Sequence, residues 1–228
     1  MGVMTIADML ALEPTLERTK TLPSETIVAG AMGGSASAAY ALSFLDPTRR
    51  VVVHEDYGFP VGTPLQALHL AVSYSGGTEE TISFAREAIR KQLPFAAVAA
   101  GGELVEIARM SGSPLAVLPA GFEPRNELPV MLRAILALIG EDKVLTDAAL
   151  DEAEAVARAE ALAGIFANAT PVFYASARNA LLARVGKMLC NETAKIPAFA
   201  SVVPARNHDE LQGFDPGGPH AKTIKFAA

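Results

Sequence analysis

Three small hydroxyl side chains and two glycines lie close together in residues 73–78, which read SYSGGT. A short apolar run at 68–72 precedes them, and a segment with helical periodicity follows. Where a strand gives way to a helix, free backbone N–H groups and the positive end of the helix dipole favour an anion. The glycines allow close approach of the backbone, and the hydroxyls donate to the ligand's remaining oxygens. Since the glycine-lysine-serine pattern of nucleotide P-loops is missing, the stretch predicts a pocket for a small phosphate monoester.

A second glycine-serine turn, Gly33-Gly34-Ser35, follows the β-prone run 26–29 and precedes an alanine-rich helix that reaches about Leu45. In open α/β sheets, ligands bind beyond the carboxyl ends of the strands, near the point where the strand order reverses. Two such turns side by side would hold one phosphate between them. Taken alone, Gly33 and Gly34 have a simpler interpretation, which is that they permit a tight turn.

The elements that must position these turns are short apolar strands that alternate with helices. A strand buried on both faces need not alternate polar and apolar residues, so continuous apolar runs indicate a parallel sheet covered on both faces. Helices are predicted after the two turns, at 103–110, and at 128–140 as a buried helix. Besides 26–29 and 68–72, the predicted strands are 50–54, 95–99 and 115–118.

The organisation predicted from this pattern has three parts. Residues 1–140 form a first α/β domain with a lead helix at about 5–13, and residues 141–169 form an acidic, alanine-rich linking helix region. Residues 170–228 open a second, similar unit with a strand at 170–176, a helix at 179–191 and a possible strand at 223–227.

Composition and charge argue against several classes of protein. The chain has 228 residues, a net charge of −6 and a single cysteine, Cys190. Without a basic run, nucleic acid is not an expected partner, and a lone cysteine provides neither a disulfide framework nor a cysteine-based zinc site. Residues 1–20 carry acidic side chains where a signal peptide would be basic and then apolar, and 128–140 is too short to cross a bilayer. We therefore expect a soluble, cytoplasmic protein without a metal or an organic cofactor.

Several motifs resemble those of a known group of proteins. MGGS at 32–35 and SYSGGTEET at 73–81 resemble the sugar isomerase (SIS) domain, which binds phosphosugars through serines and threonines at strand ends. Pro124-Arg125, CNETAK at 190–195 and RNHDELQGF at 206–214 resemble a narrower family, the bifunctional phosphoglucose/phosphomannose isomerases of the phosphoglucose isomerase superfamily. The resemblance implies a three-layer SIS domain with a parallel sheet, a flavodoxin-like sandwich, followed by an incomplete second SIS-like subdomain.

The resemblance also implies roles for individual residues and an activity, the interconversion of glucose 6-phosphate or mannose 6-phosphate with fructose 6-phosphate through a cis-enediol. Glu192 matches the general base and Arg125 the positive group beside the enediolate. His208 matches the histidine of ring opening, which in the family comes from the partner subunit of a homodimer. The residues that match contacts to the phosphate or sugar are Gly34, Ser35, Ser73, Ser75 and Thr78.

The chain departs from the family pattern after the histidine motif. Family members continue with further strands and helices and a tail that supplies another lysine, whereas this sequence ends at Ala228. We therefore expect an incomplete second sheet, with two alternatives: the chain is a truncated product or fragment of a longer protein, or it is a short version that association with another copy completes. One competing hypothesis is a non-catalytic SIS module that binds or senses phosphosugars, and a further one is an isomerase-type subunit for amino sugars. From their own surroundings, Glu192 would be a solvated glutamate at a helix end and His208 a surface histidine beside Asp209.

Overall fold

The computed structural model describes residues 6–18, 22, 25–121, 127–141, 152–167 and 169–214. The chain forms two compact units, Met1–Gly164 and Ile165–Ala228. The predicted three-part division stays a prediction, and the possible strand at 223–227 lies outside the described residues.

The first unit contains a six-stranded sheet with the strand order β1-β6-β5-β4-β2-β3. Five strands are parallel, and β1 pairs antiparallel with β6 at one edge. The strands are β1 (Thr15–Glu17), β2 (Thr26–Ala31), β3 (Arg50–His54), β4 (Leu68–Val72), β5 (Phe95–Ala99) and β6 (Leu115–Val117). The α/β class and the predicted parallel sheet are confirmed, and β1 is an addition to the prediction.

Four described helices of this unit pack on the strands of the sheet: α2 (Gly33–Leu45), α3 (Glu79–Arg90), α4 (Gly102–Ser111) and α5 (Leu128–Ile139). Of the other described helices, α1 (Ile6–Leu10) packs on α5, and α6 (Glu152–Phe166) continues past the unit boundary at Gly164. The chain moves from β2 to β3 in one direction and from β4 to β5 in the other. Right-handed crossovers therefore place α2, which packs on α5, and α3, which packs on α4, on opposite faces.

Burial explains why these segments form strands and helices. Every residue of β4 and β5 is buried, as expected for central parallel strands. In α5 the residues from Val130 to Leu136 are all buried, which confirms the predicted buried helix. Arg133 of this helix forms an ion pair of 2.8 Å with Glu13.

The lead helix is shorter than predicted, because it ends at Leu10. Among the described helices, none has the length and apolarity needed to cross a membrane.

His69 on β4 is a buried titratable group inside this core. Its side chain is fully buried, and its Nδ1 lies 2.8 Å from the carbonyl oxygen of Pro94. A carbonyl only accepts, so Nδ1 carries the proton, and Nε2 has no hydrogen-bond partner in the described structure. Burial lowers the pKa of His69 below its ordinary value because the charged imidazolium is poorly solvated there.

We expect His69 to make the fold less stable under mildly acidic conditions. Below about pH 6.5 the unfolded chain binds a proton at this position and the folded chain does not, so the free energy of unfolding falls with decreasing pH. His69→Gln keeps an amide donor for Pro94 and is expected to flatten this dependence by up to about 1 kcal/mol per pH unit. Urea unfolding between about pH 5.5 and about pH 7.5 measures the slope. His54→Gln is the matched histidine control, and an unchanged slope in His69→Gln would contradict the assignment.

The second unit contains a parallel pair, β7 (Val172–Ser176) and β8 (Phe199–Val203), and the helix α7 (Ala180–Leu189). The strand and helix predicted after residue 170 are confirmed, whereas β8 is an addition. A one-turn π-helix, Cys190–Ala194, continues α7, and Lys195 in the left-handed region (φ 57°) ends it. Short 3₁₀ segments at Ala205–His208 and Glu210–Phe214 follow β8.

Candidate functional site

Two loops lie side by side at the carboxyl edge of the first sheet: the glycine turn, residues 32–35, and the hydroxyl loop, residues 73–78. They follow β2 and β4, which are neighbours in the sheet. The chain leaves these two strands towards opposite edges, so this is the switch point of the strand order. The backbone N–H of Tyr74 donates to Ser35 Oγ at 3.4 Å, which links the loops directly. The structure thus brings Ser35 next to the predicted phosphate-binding residues.

Internal hydrogen bonds hold the hydroxyl loop in one conformation. The hydroxyls of Ser73 and Thr78 lie 2.9 Å apart, and the N–H of Gly76 donates to Ser73 Oγ at 3.1 Å. The N–H of Gly77 donates to Ser75 Oγ at 3.3 Å. Ser73 is buried, Thr78 is half-buried and Ser75 is exposed, so the loop presents hydroxyls at different depths.

The first turns of α2 and α3 add backbone donors at the same place. Met32 and Thr78 are the residues that precede these two helices, and neither forms a side-chain capping bond in the described structure. Hence the first N–H groups of both helices remain available to a bound anion, and both helix dipoles favour negative charge there. Glu79 and Glu80 place carboxylates on the first turn of α3, and Tyr57 donates to Glu79 Oε2 at 3.1 Å.

A third loop, residues 100–102 after β5, supports the hydroxyl loop through its backbone. The N–H of Ala100 donates to the carbonyl of Tyr74 at 2.8 Å, and the N–H of Leu104 donates to the carbonyl of Gly76 at 2.9 Å. Gly76 has a φ of +67°, and a β-carbon at this position would overlap the carbonyl oxygen of Gly101. This support is not among the features predicted from the sequence, although two consecutive glycines after a strand are typical of a close backbone approach.

Glu192 lies in the second unit, on the π-helical turn Cys190–Ala194 at the end of α7. Its side chain is half-buried. The N–H of Ile196 donates to the carbonyl of Cys190 at 3.2 Å, and the N–H of Ala198 donates to Asn191 Oδ1 at 2.8 Å. These bonds fix the backbone on both sides of Glu192, and single π-helical turns of this kind often occur at functional sites.

His208 ends the 3₁₀ segment Ala205–His208 and is exposed. Its neighbours Arg206 and Asp209 form an ion pair of 2.8 Å across the turn. The N–H of Glu210 and the Arg206 guanidinium lower the pKa of Asp209, so this carboxylate is charged at neutral pH.

The predicted site residues are therefore distributed over two units. Gly34, Ser35, Ser73, Ser75 and Thr78 lie together in the first unit. Glu192 and His208 are in the second unit, and Arg125 lies outside the described residues. Their joint role in one site stays a prediction. Within the described ranges, no group of three or more His, Cys, Asp and Glu side chains is arranged to hold a metal ion.

Comparison with known proteins identifies relatives over most of the chain. The model of the bacterial phospho-glucose isomerase C-terminal SIS domain matches residues 155–227. A bifunctional phosphoglucose/phosphomannose isomerase from Aquifex aeolicus is 32% identical over 201 residues, which are 84% of this chain and 63% of the relative. A D-glucosamine-6-phosphate 4-epimerase from Sulfolobus acidocaldarius is 29% identical over 198 residues, 83% of this chain and 64% of the relative. The chain thus spans less than two thirds of the length of these relatives.

A solved structure shares the fold. A hypothetical protein from Thermus thermophilus superimposes with a TM-score of 0.63 at 22% identity, over 86% of this chain and 57% of that one. At this identity the likeness concerns the arrangement of helices and strands alone.

Proposed function

Since this chain belongs to the SIS-domain family of bifunctional phosphoglucose/phosphomannose isomerases, we propose that it is an aldose–ketose isomerase. Its substrates would be glucose 6-phosphate, mannose 6-phosphate or both, which it interconverts with fructose 6-phosphate. The observation that carries a phosphosugar substrate is the meeting of the glycine turn with the hydroxyl loop, which brings two helix N-termini and four small hydroxyl side chains to one edge of the sheet. A phosphate monoester fits this set of donors, because its oxygens accept from N–H and O–H groups alike.

In the proposed reaction a proton moves between C1 and C2 of the open-chain sugar. Glu192 takes the proton from the carbon beside the carbonyl, and the electron pair moves onto the carbonyl oxygen to give an enediolate. Arg125 stabilises this negative charge without titrating, since a guanidinium keeps its proton. Glu192 then returns the proton to the neighbouring carbon. A proton also moves from the hydroxyl that becomes the new carbonyl to the oxygen that was the carbonyl before. The step is redox-neutral overall, so we propose no organic cofactor.

Ring opening and assembly complete the proposal. His208 would transfer a proton during opening of the cyclic sugar and would reach the site from a second copy of the chain in a homodimer. We further propose that the enzyme is cytoplasmic and that it acts in carbohydrate metabolism, in glycolysis and gluconeogenesis. A stable monomer at working concentration, measured by analytical ultracentrifugation, would contradict the shared site.

A coupled assay tests the activity directly. Fructose 6-phosphate is supplied, and the glucose 6-phosphate formed is consumed by glucose-6-phosphate dehydrogenase with reduction of NADP. We expect turnover that saturates with substrate, and we expect inorganic phosphate to compete for the hydroxyl loop. Mannose 6-phosphate and D-glucosamine 6-phosphate are tested as further substrates in parallel with fructose 6-phosphate.

The second candidate function is a non-catalytic phosphosugar-binding module. The observation that favours it is that all five residues predicted to contact phosphate or sugar lie in the first unit. Saturable binding of fructose 6-phosphate without turnover, unchanged in Glu192→Gln, would support this module and contradict the isomerase.

A further inference from the structure

The middle residues of the two strands in the second unit, Tyr174 and Ser201, are direct partners in the β7–β8 ladder. Paired residues in a sheet project from the same face. Phe173, one residue before Tyr174, lies against α7, since a β-carbon on Gly186 would be 2.9 Å from its ring. Side chains alternate along a strand, so Tyr174 and Ser201 point to the face away from α7.

Both hydroxyls on this face converge on one carboxylate. The Tyr174 hydroxyl donates to Glu210 Oε2 at 3.1 Å, and the Ser201 hydroxyl donates to Glu210 Oε1 at 3.1 Å. Burial and the bond to Glu210 raise the pKa of Tyr174, so its phenol keeps the donated proton at neutral pH. Glu210 therefore joins two neighbouring strands through its two oxygens.

Glu210 stands two residues after His208, and it links the histidine turn to the sheet. Two further bonds beside the histidine are local to the turn: Asn207 N–H to the Pro204 carbonyl at 2.9 Å, and Gln212 Nε2 to the Asn207 carbonyl at 2.8 Å. These local bonds shape the turn but do not fix its place on the strands. The carboxylate of Glu210 does so, because both of its hydroxyl donors come from the sheet.

We propose that Glu210 is a positioning residue for His208, held by Tyr174 and Ser201 so that the exposed imidazole is presented from a fixed turn. This proposal rests on the proposed function, which gives His208 its role in ring opening. An exposed side chain on a free turn samples many positions, and a displacement of about 1 Å at a reacting group costs up to about a hundredfold in rate. A carboxylate with two hydroxyl donors restricts that sampling.

The first test is a double-mutant cycle on kcat for glucose 6-phosphate. In Glu210→Gln, the amide oxygen still accepts one hydroxyl, whereas the amide NH₂ only donates, so the other hydroxyl must reverse its role and the bonds to a charged carboxylate are lost. We expect kcat to fall about tenfold with KM changed less than about twofold, because the phosphate contacts are elsewhere. In a His208→Asn background the same substitution is expected to cost less than about twofold, since its effect passes through the imidazole. Ser201→Ala and Tyr174→Phe remove the donors singly and are expected to give smaller losses in the same direction.

The second test measures the turn without reference to activity. Amide hydrogen exchange of residues 205–214, followed by mass spectrometry, is expected to be faster in Glu210→Gln than in the wild type. Glu160→Gln, which removes the same charge from the exposed face of α6, is the matched control and is expected to leave this exchange unchanged. Unchanged exchange in Glu210→Gln, or a full tenfold loss added to His208→Asn, would overturn the positioning role. If the wild-type chain shows no turnover, the proposed function fails and the catalytic part of this proposal fails with it, while the exchange result still decides whether Glu210 holds the turn.

Discussion

Replacing Glu192 with Gln is expected to lower kcat for fructose 6-phosphate by about three orders of magnitude, while substrate binding stays nearly unchanged. Glutamine has almost the same shape as glutamate but cannot take the proton from C1 of fructose 6-phosphate or return it to C2. The π-helical turn that carries Glu192 is held by backbone bonds and by Asn191, so the substitution removes the proton acceptor without removing its support. We expect binding to persist because the predicted phosphate contacts lie in the hydroxyl loop of the first unit.

The coupled assay gives kcat and KM for Glu192→Gln, and isothermal titration with fructose 6-phosphate gives the dissociation constant. The combined variant Ser75→Ala and Thr78→Ala serves as a control with the opposite expected pattern, a higher dissociation constant and a smaller change in kcat. Retention of more than about a tenth of the wild-type kcat by Glu192→Gln would assign the proton transfer to another base.

The central strands could be predicted from the sequence because burial on both faces leaves a simple signal. Runs such as Phe95–Ala99 are apolar throughout, and glycines or prolines flank them. The edge strand β1 has no such signal, since two of its three residues are exposed and its pairing with β6 joins distant parts of the chain. Similarly, β8 is mostly exposed, and its partner β7 lies before the whole of α7.

For the candidate site, the sequence indicated the chemistry of each loop but not what supports it. Glycines and serines directly after two strands predict a phosphate site because local chain geometry alone creates the donors. The bond from Tyr74 to Ser35 and the support that Ala100 and Leu104 give the hydroxyl loop depend on which strands become neighbours, and no local sequence pattern predicts that. The same holds for Glu210, whose partners Tyr174 and Ser201 come from two different strands.

Gly76→Ala is expected to weaken phosphosugar binding at least about a hundredfold and to lower the free energy of unfolding by about 2–4 kcal/mol. The φ of +67° is a conformation that an alanine adopts only with strain, and the added β-carbon would overlap the Gly101 carbonyl oxygen. That carbonyl cannot move away easily, because the N–H of Ala100 is bonded to Tyr74 and the N–H of Leu104 to Gly76. The hydroxyl loop must therefore shift, and the N–H of Gly76 loses its bond to Ser73.

The neighbouring glycine provides the matched control for this prediction. A β-carbon at Gly77 would meet no atom within 4 Å. The φ of Gly77 is not in the left-handed range, so a residue with a side chain can adopt it. Gly77→Ala is therefore expected to leave the free energy of unfolding near that of the wild type and to weaken binding much less than Gly76→Ala does. Isothermal titration with fructose 6-phosphate and urea unfolding of both variants make the comparison. If the two variants bound equally well, the support of the hydroxyl loop by residues 100–102 would not determine affinity, and the anion would have to be held mainly by the glycine turn and the first turn of α2.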